Sequence, residues 1–197
     1  IMGCSELMEN GLVKAEDMPR FVSRIHSEAS RLVTLVDDII GLSQLDENAE
    51  FPKEEVDLLA LAEEEVGALA ATAKDKNIEI SVGGEEITVT GVRRLLHEIV
   101  YNLCDNALRY TEAGGKVGVT VGKEENEAVI TVSDTGIGIP PEDLDRVFER
   151  FYRTDKSRSK ETGGAGLGLS IVKHAVSYLG GRISLDSAQG IGTTFKV

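Results

Sequence analysis

Apolar residues follow a heptad pattern in the first part of this 197-residue chain. The pattern predicts a short helical segment, a turn near residue 10, and a long helix from about residue 16 to 45. Only Glu28 interrupts the repeat. Its apolar positions are Met18, Phe21, Ile25, Leu32, Leu35, Ile39 and Leu42. A sustained heptad favours a helical hairpin that dimerises into a four-helix bundle over a helix packed on its own domain.

A polar stretch at residues 46 to 53 is predicted to form a linker and the first extended segment, and helical and alternating patterns mix after it. Helical intervals cover residues 58 to 74 and 92 to 110, and a third apolar helix ends at Gly180 and Gly181. Strands are predicted near residues 78 to 82, 87 to 90, 116 to 121, 128 to 133, 182 to 186 and 193 to 197. This order predicts an α+β fold over residues 54 to 197, a two-layer α/β sandwich with a mixed sheet on helices. An all-α helical hairpin at residues 1 to 46 precedes it.

Asn102 and Asn106 share one face of the helix predicted at residues 92 to 110. Asparagine is a mediocre helix former, and an amide near an apolar stripe needs hydrogen-bond partners. A magnesium ion with its bound waters would supply them. An isolated N-x-x-x-N spacing is more often a pair of half-exposed polar residues, so this interpretation depends on the segments that follow.

Asp134 ends the alternating segment AVITVSD, and Gly136 and Gly138 follow it. A carboxylate in this position either caps a turn or accepts a hydrogen bond from a ligand. The glycines would let the backbone approach a flat base closely. An aspartate acceptor would favour adenine, because guanine presents a carbonyl there and would leave both acceptors unpaired at a cost of about 1 to 3 kcal/mol.

The segment GGAGLGLSIV is a glycine-rich loop that leads into an apolar helix. Free amides at the start of that helix could hold phosphate oxygens. A P-loop would need lysine where Leu169 stands, and a dinucleotide fingerprint would need glycine at Leu169 or Ile171. Neither motif is present, so phosphates and metal must be held from elsewhere, which points back to Asn106.

Five segments together resemble the sensor histidine kinases of two-component signalling, within the wider fold family that includes gyrase and Hsp90 ATPases. NLCDNALRYT is similar to the N box, DTGIGI to the G1 box, FERFYR to the F box, GGAGLGLSIV to the G2 box, and GIGTTF to the last glycine box. The resemblance covers nearly the whole chain. The sequence around the N box also resembles that of the phosphate-regulon subgroup of these kinases.

The resemblance implies ATP and Mg²⁺ as cofactors, with Asn106 and the nearby Asn102 holding the metal. The other implied site residues are Arg109 and Arg153 for the phosphates, Tyr110 and Asp134 for adenine, Gly136 and Gly138 in the G1 box, Gly164, Gly166, Leu167 and Gly168 for the lid hinge and phosphate loop, and Thr193 and Thr194 in the last glycine box. Arg109 stands where the family usually has lysine, which keeps the charge but changes its geometry.

Asn102 distinguishes two possible reactions. In the related ATPases the equivalent position carries a glutamate that activates water, and an amide cannot take a proton at neutral pH. The resemblance therefore implies transfer of the γ-phosphoryl group to a histidine, for relay to a response regulator receiver domain, with Asn102, Arg109 and Arg153 as catalytic residues. A gyrase/Hsp90-type ATPase and a nucleotide-binding interaction module with a degenerate site remain the alternatives.

The family's phosphoacceptor motif, similar to HELKTPL, is absent from the sequence. The opening IMGCSELMENG resembles the end of the helix that carries it, so the acceptor is expected just before Ile1. His26, His97 and His174 are expected to be structural or surface residues. The chain is thus expected to bind ATP without phosphorylating itself.

Residues 148 to 164 are rich in cations and end in glycines, which predicts a mobile lid rather than an ordinary solvated loop. The formal charge of −13 argues against binding nucleic acid or an anionic membrane surface. Cys4 and Cys104 have no metal-ligand spacing and predict no disulfide, which fits a reducing cytoplasm. We expect the cytoplasmic part of a membrane-anchored bacterial sensor.

Overall fold

Two helices make up the first of two units, Ile1–Gln44, in the computed structural model. The structure describes residues 1 to 46, 50 to 153 and 166 to 197. Helix α1 spans Met2–Glu9 and helix α2 spans Met18–Asp46, close to the predicted bounds. Among the side chains of α2 that the structure describes, six large apolar ones are exposed: Val22, Leu32, Val33, Val36, Ile39 and Ile40.

A five-stranded mixed sheet forms the centre of the second unit, Leu45–Val197. Its strands are β2 (Glu79–Gly84), β4 (Lys116–Glu124), β5 (Glu127–Asp134), β6 (Ser184–Ala188) and β7 (Gly192–Lys196), in the order β2-β4-β5-β7-β6. Strand β2 pairs parallel with β4, and the other neighbours pair antiparallel. In the centre of the sheet Val132 lies opposite Val119 and Phe195, and all three are buried.

Three helices pack on the apolar side of this sheet: α3 (Leu58–Asp75), α4 (Arg93–Tyr110) and α5 (Gly168–Leu179). Their buried side chains include Leu61, Leu69, Leu95, Ile99, Leu103, Ile171, Val172 and Val176. Helix α5 ends at Gly180 in the left-handed conformation, as the glycine pair predicts. The predicted α+β fold, with helices on a mixed sheet, is confirmed.

A separate two-stranded sheet joins β1 (Glu54–Asp57) to β3 (Thr88–Gly91), with Val56 opposite Val89. Asp57 ends β1 and caps α3, since its Oδ1 accepts hydrogen bonds from the backbone amides of Leu59 at 2.9 Å and Ala60 at 3.1 Å. A short 3₁₀ helix, Pro141–Asp143, follows the G1 box segment. None of the described helices combines the length and apolarity needed to cross a bilayer.

A buried carboxylate fixes α3 against α4. Glu65 of α3 is only 2% exposed, and its Oε1 lies 2.7 Å from Nε2 of His97 on α4. Burial raises the pKa of Glu65, and the neighbouring His97 offsets part of that rise. Burial also raises the pKa of Cys104 to about 12, so this thiol is inert at neutral pH. The contact with Glu65 gives His97 a structural role, one of the two roles that the sequence analysis expects for it.

Candidate functional site

The two asparagines of α4 face the first turn of α5. Asn102 and Asn106 are both half-buried, and Nδ2 of Asn102 donates to the Glu98 carbonyl at 2.7 Å. A Cβ atom at Gly168 would lie 2.8 Å from Oδ1 of Asn102 and 3.6 Å from Nδ2 of Asn106. Only a residue without a side chain fits here without displacing the amide. The structure thus brings the N box and the start of the G2 helix together, as the sequence predicts.

The residue before α5 anchors its N-terminus in the core. Leu167 is 1% exposed, and its carbonyl accepts a hydrogen bond from the Ser170 hydroxyl at 2.7 Å. Gly166 has a φ of +76°, and its carbonyl accepts from the Phe151 amide at 2.9 Å. These contacts fix the backbone at the start of α5, where the amides of the first helical turn have no partner within the helix. Gly164 lies outside the described residues.

Asp134 lies at the end of β5 and is held from two directions. Its Oδ1 accepts from the amide of Gly136 at 2.8 Å and from that of Thr193 at 3.3 Å. Burial raises the pKa of Asp134, and the two amide donors offset part of that rise. Both donors use Oδ1, so within the described part of the chain Oδ2 is the oxygen available to a ligand's donor.

The two glycines of the G1 box that follow Asp134 let the backbone pack closely against carbonyl groups of neighbouring elements. A Cβ at Gly136 would lie 2.4 Å from the Tyr110 carbonyl, which also accepts from the Ile137 amide at 3.1 Å. Gly138 has a φ of +66°, and a Cβ there would lie 2.1 Å from the Ala188 carbonyl. The G1 segment is therefore pinned between the end of α4 and the β6–β7 turn, which holds Asp134 next to the N box helix.

Thr193 and Thr194 lie on opposite faces of the sheet. Thr193 pairs with Asp134 in the β-ladder and is 7% exposed. Thr194 pairs with Ser133, so it lies on the face that the helices do not cover. The prediction grouped the two threonines by motif, and a motif match does not say which face a strand residue occupies. Thr193 thus contacts Asp134, whereas Thr194 lies on the other face, and a role of the two threonines in binding the cofactor stays a prediction.

Arg109 is paired with an acid that the sequence analysis missed. Its Nε lies 2.6 Å from Oδ2 of Asp105. The i, i+4 spacing on one helix would have been sufficient to predict this pair. Tyr110 is 37% exposed at the end of α4, next to the G1 segment. Arg153 is half-buried and is the last residue described before the second gap.

Two aromatic residues, Phe148 and Tyr152, anchor the start of the predicted lid. The Tyr152 hydroxyl donates to Oδ1 of Asp143 at 2.5 Å, and the Phe148 ring lies 6.3 Å from that of Phe195. Phe151 is 60% exposed with a φ of +63°, so its ring does not serve as an anchor. The rest of the predicted lid, residues 154 to 164, lies outside the described residues, including Lys156, Arg158 and Lys160.

The donor set suits magnesium only if the nucleotide completes its coordination. Within the described ranges, no group of three or more histidine, cysteine, aspartate or glutamate side chains could hold a metal ion. Oδ1 of Asn102 and Nδ2 of Asn106 line a recess that a Cβ at Gly168 would fill, and a flip of the Asn106 amide would present its oxygen there as well. Magnesium prefers oxygen ligands, keeps several waters and is commonly completed by substrate phosphates. The residues present therefore fit a metal that arrives with ATP.

Comparison with known proteins decides the family. Residues 91–197 match the family described as histidine kinase-, DNA gyrase B-, and HSP90-like ATPase. The chain belongs to this family. The second unit therefore contains an ATP-binding domain, and the geometry above describes a candidate for its nucleotide site.

The relatives of this ATP-binding domain are sensor kinases. The chain is 36% identical to the sensor-like histidine kinase SenX3 of Mycobacterium tuberculosis, over 100% of this chain and 49% of that protein. It is 34% identical to the sensor histidine kinase WalK of Bacillus subtilis, over 96% of this chain and 32% of WalK. The solved structure of full-length ShkA in complex with AMPPNP is 29% identical, with a TM-score of 0.80, over 96% of this chain and 40% of ShkA. The chain thus spans half or less of these relatives.

Replacing Asp134 by asparagine tests the assignment of the adenine acceptor. Asp134→Asn keeps an oxygen for the amides of Gly136 and Thr193 but can place an amide donor where the adenine amine would lie. We expect titration calorimetry to show ATP binding weakened by about 1 to 3 kcal/mol, with GTP affected less.

Asp186→Asn provides the matched control, because Asp186 is exposed on β6 and lies opposite Thr194 on the uncovered face. Unchanged ATP affinity in Asp134→Asn, or an equal loss in Asp186→Asn, would contradict the assignment.

Proposed function

We propose that this chain is the ATP-binding catalytic part of a sensor histidine kinase. It transfers the γ-phosphoryl group of ATP to a histidine, for relay to an aspartate of a response regulator receiver domain, and works in the cytoplasm, where ATP is available. The observation that carries the proposal is the amide of Asn102 beside Gly168, at the position where a water-activating carboxylate would make the site an ATPase.

The site residues divide the work of binding ATP. Oδ2 of Asp134 accepts the adenine amine, and Tyr110 lies beside the base. Arg109 and Arg153 neutralise phosphate charge, together with the amides at the start of α5. A magnesium ion, when bound, supplies further positive charge at the phosphates. Phosphoryl transfer needs little covalent chemistry from the protein, so positioning and charge neutralisation account for most of the catalysis.

We propose that none of the three histidines in the chain accepts the phosphoryl group. His97 contacts the buried carboxylate of Glu65, and Nδ1 of His174 lies 2.7 Å from the Ser170 carbonyl. His26 lies in α2, outside any motif similar to HELKTPL. The chain then binds ATP and presents it to a histidine in another segment.

Restoring a carboxylate at position 102 tests the distinction between kinase and ATPase. We expect Asn102→Glu to raise steady-state ATP hydrolysis by at least about tenfold, because a positioned base accelerates such reactions by about 10²- to 10⁴-fold when its geometry is ideal. Phosphate release in the presence of Mg²⁺ is the measurement.

Asn102→Gln is the control for size, since it lengthens the side chain equally and adds no base. Equal hydrolysis by both variants, with ATP binding retained, would contradict the role given to position 102.

We also propose that α2 mediates a homodimer. Helix α2 has 29 residues, and the exposed apolar residues that the structure describes in it lie at Val22 and between Leu32 and Ile40. Leu32 and Ile39 are 49% and 46% exposed and occupy the same heptad position. Helices in proteins gain most of their stability from packing an apolar face against another element, so such a helix needs a partner. A second copy of the same helix provides a complementary seam.

Sedimentation velocity at tens of micromolar tests this seam. We expect the parent chain to sediment as a dimer and Ile39→Glu to shift it toward monomer, because a carboxylate in the seam would be desolvated without a partner. Thr34→Glu is the control, since Thr34 is exposed two positions after Leu32 in the heptad. A monomeric parent chain, or equal effects of the two variants, would count against the seam.

A further inference from the structure

The last turn of α4 is held at three of its carbonyl oxygens. The Ala107 carbonyl accepts from the Thr111 amide at 3.0 Å, and the Tyr110 carbonyl accepts from Ile137 at 3.1 Å. Between them, the Leu108 carbonyl accepts from Nζ of Lys76 at 2.9 Å. The last carbonyls of a helix have no partner within the helix, so each such bond stabilises the turn. Lys76 is the side chain that provides one of them, and it belongs to none of the five motifs.

The backbone around Lys76 is fixed by the end of α3. The Lys76 amide donates to the Thr72 carbonyl at 3.2 Å, and the Ile78 amide donates to the Ala73 carbonyl at 2.9 Å. Asn77 lies between them with a φ of +55°, the left-handed conformation that commonly ends a helix. The Asn77 carbonyl also accepts from Gly114 at 2.7 Å, which joins this turn to the loop after α4. The ammonium group of Lys76 is thus presented to α4 from a defined position.

Lys76 shares its electrostatic environment with Arg109 and Asp105. Burial lowers the pKa of Lys76, the positive charge of Arg109 lowers it further, and Asp105 offsets part of this. Asp105 is already bonded to Arg109 at 2.6 Å. Lys76 and Arg109 are therefore close enough to interact electrostatically with each other and with Asp105 at the end of α4. A cation next to the last carbonyls also interacts favourably with the negative end of the helix dipole.

We propose that Lys76 is a positioning residue for the phosphate contact of Arg109. Its ammonium group holds the Leu108 carbonyl, and its charge disfavours any turn of the guanidinium toward α3. Arg109 then stays with Asp105, on the helix face that also carries Asn102 and Asn106. This inference depends on the proposed function, in which Arg109 contacts the phosphates of ATP.

Nucleotide titration of the whole chain separates this role from a purely structural one. Lys76→Met keeps the aliphatic stem but removes the charge and the donor. We expect Lys76→Met to weaken MgATP binding by about tenfold, which corresponds to the loss of one charge-assisted hydrogen bond between Arg109 and a phosphate. The affinity for adenosine, measured by competition, should change less than about twofold. Lys76→Arg should restore most of the affinity, because a guanidinium can still donate to the Leu108 carbonyl. Lys123→Met, which removes an exposed cation on β4, should leave both affinities unchanged.

A double-mutant cycle with Arg109→Met tests whether Lys76 acts through Arg109. If it does, Lys76→Met should have little further effect on MgATP binding once Arg109 is gone. Additive losses would overturn the proposal, as would equal weakening of adenosine and MgATP, or no weakening in Lys76→Met. The proposed phosphate contact of Arg109 fails separately, if Arg109→Met alone binds MgATP as tightly as the parent chain.

Discussion

The candidate site depends on the close approach of α5 to the amide face of α4. Gly168 lies where even one methyl group would be 2.8 Å from Oδ1 of Asn102. This approach places the amides of the first turn of α5 beside Asn106. Without it, the chain would have a glycine-rich loop and an asparagine pair but no common recess for phosphate and metal.

Helix α4 presents Asn102 and Asn106 on one face because its opposite face is buried in the core. Leu95, Ile99 and Leu103 are fully buried, and the Glu65–His97 pair fixes the helix against α3. The end of α4 is then tied to the G1 segment through the Tyr110 carbonyl and to α3 through Lys76. The proposed adenine acceptor, phosphate ligands and metal ligands are thus all positioned by one helix. Fixed relative positions are what a reaction that depends on positioning requires.

The local sequence pattern was sufficient to predict α4 and the antiparallel strands β4 and β5, because their apolar positions repeat with a clear period. It also predicted that Asp134 would end a strand beside two glycines. Strand β1 was placed too early, since Val56 is its only buried residue and its pairing with β3 is a long-range contact. That Thr193 and Thr194 lie on opposite faces of the sheet could not be predicted, because a motif match carries no strand register. Lys76 could not be found, since its contact with Leu108 joins residues 32 positions apart.

The most direct test of this account is a crystal structure of the chain with a non-hydrolysable ATP analogue and Mn²⁺, with the metal located by its anomalous signal. The account predicts the adenine amine at the Asp134 carboxylate, the phosphates between α4 and the start of α5, and the metal beside Asn106. A base bound away from Asp134, or a metal away from the asparagine face of α4, would contradict it.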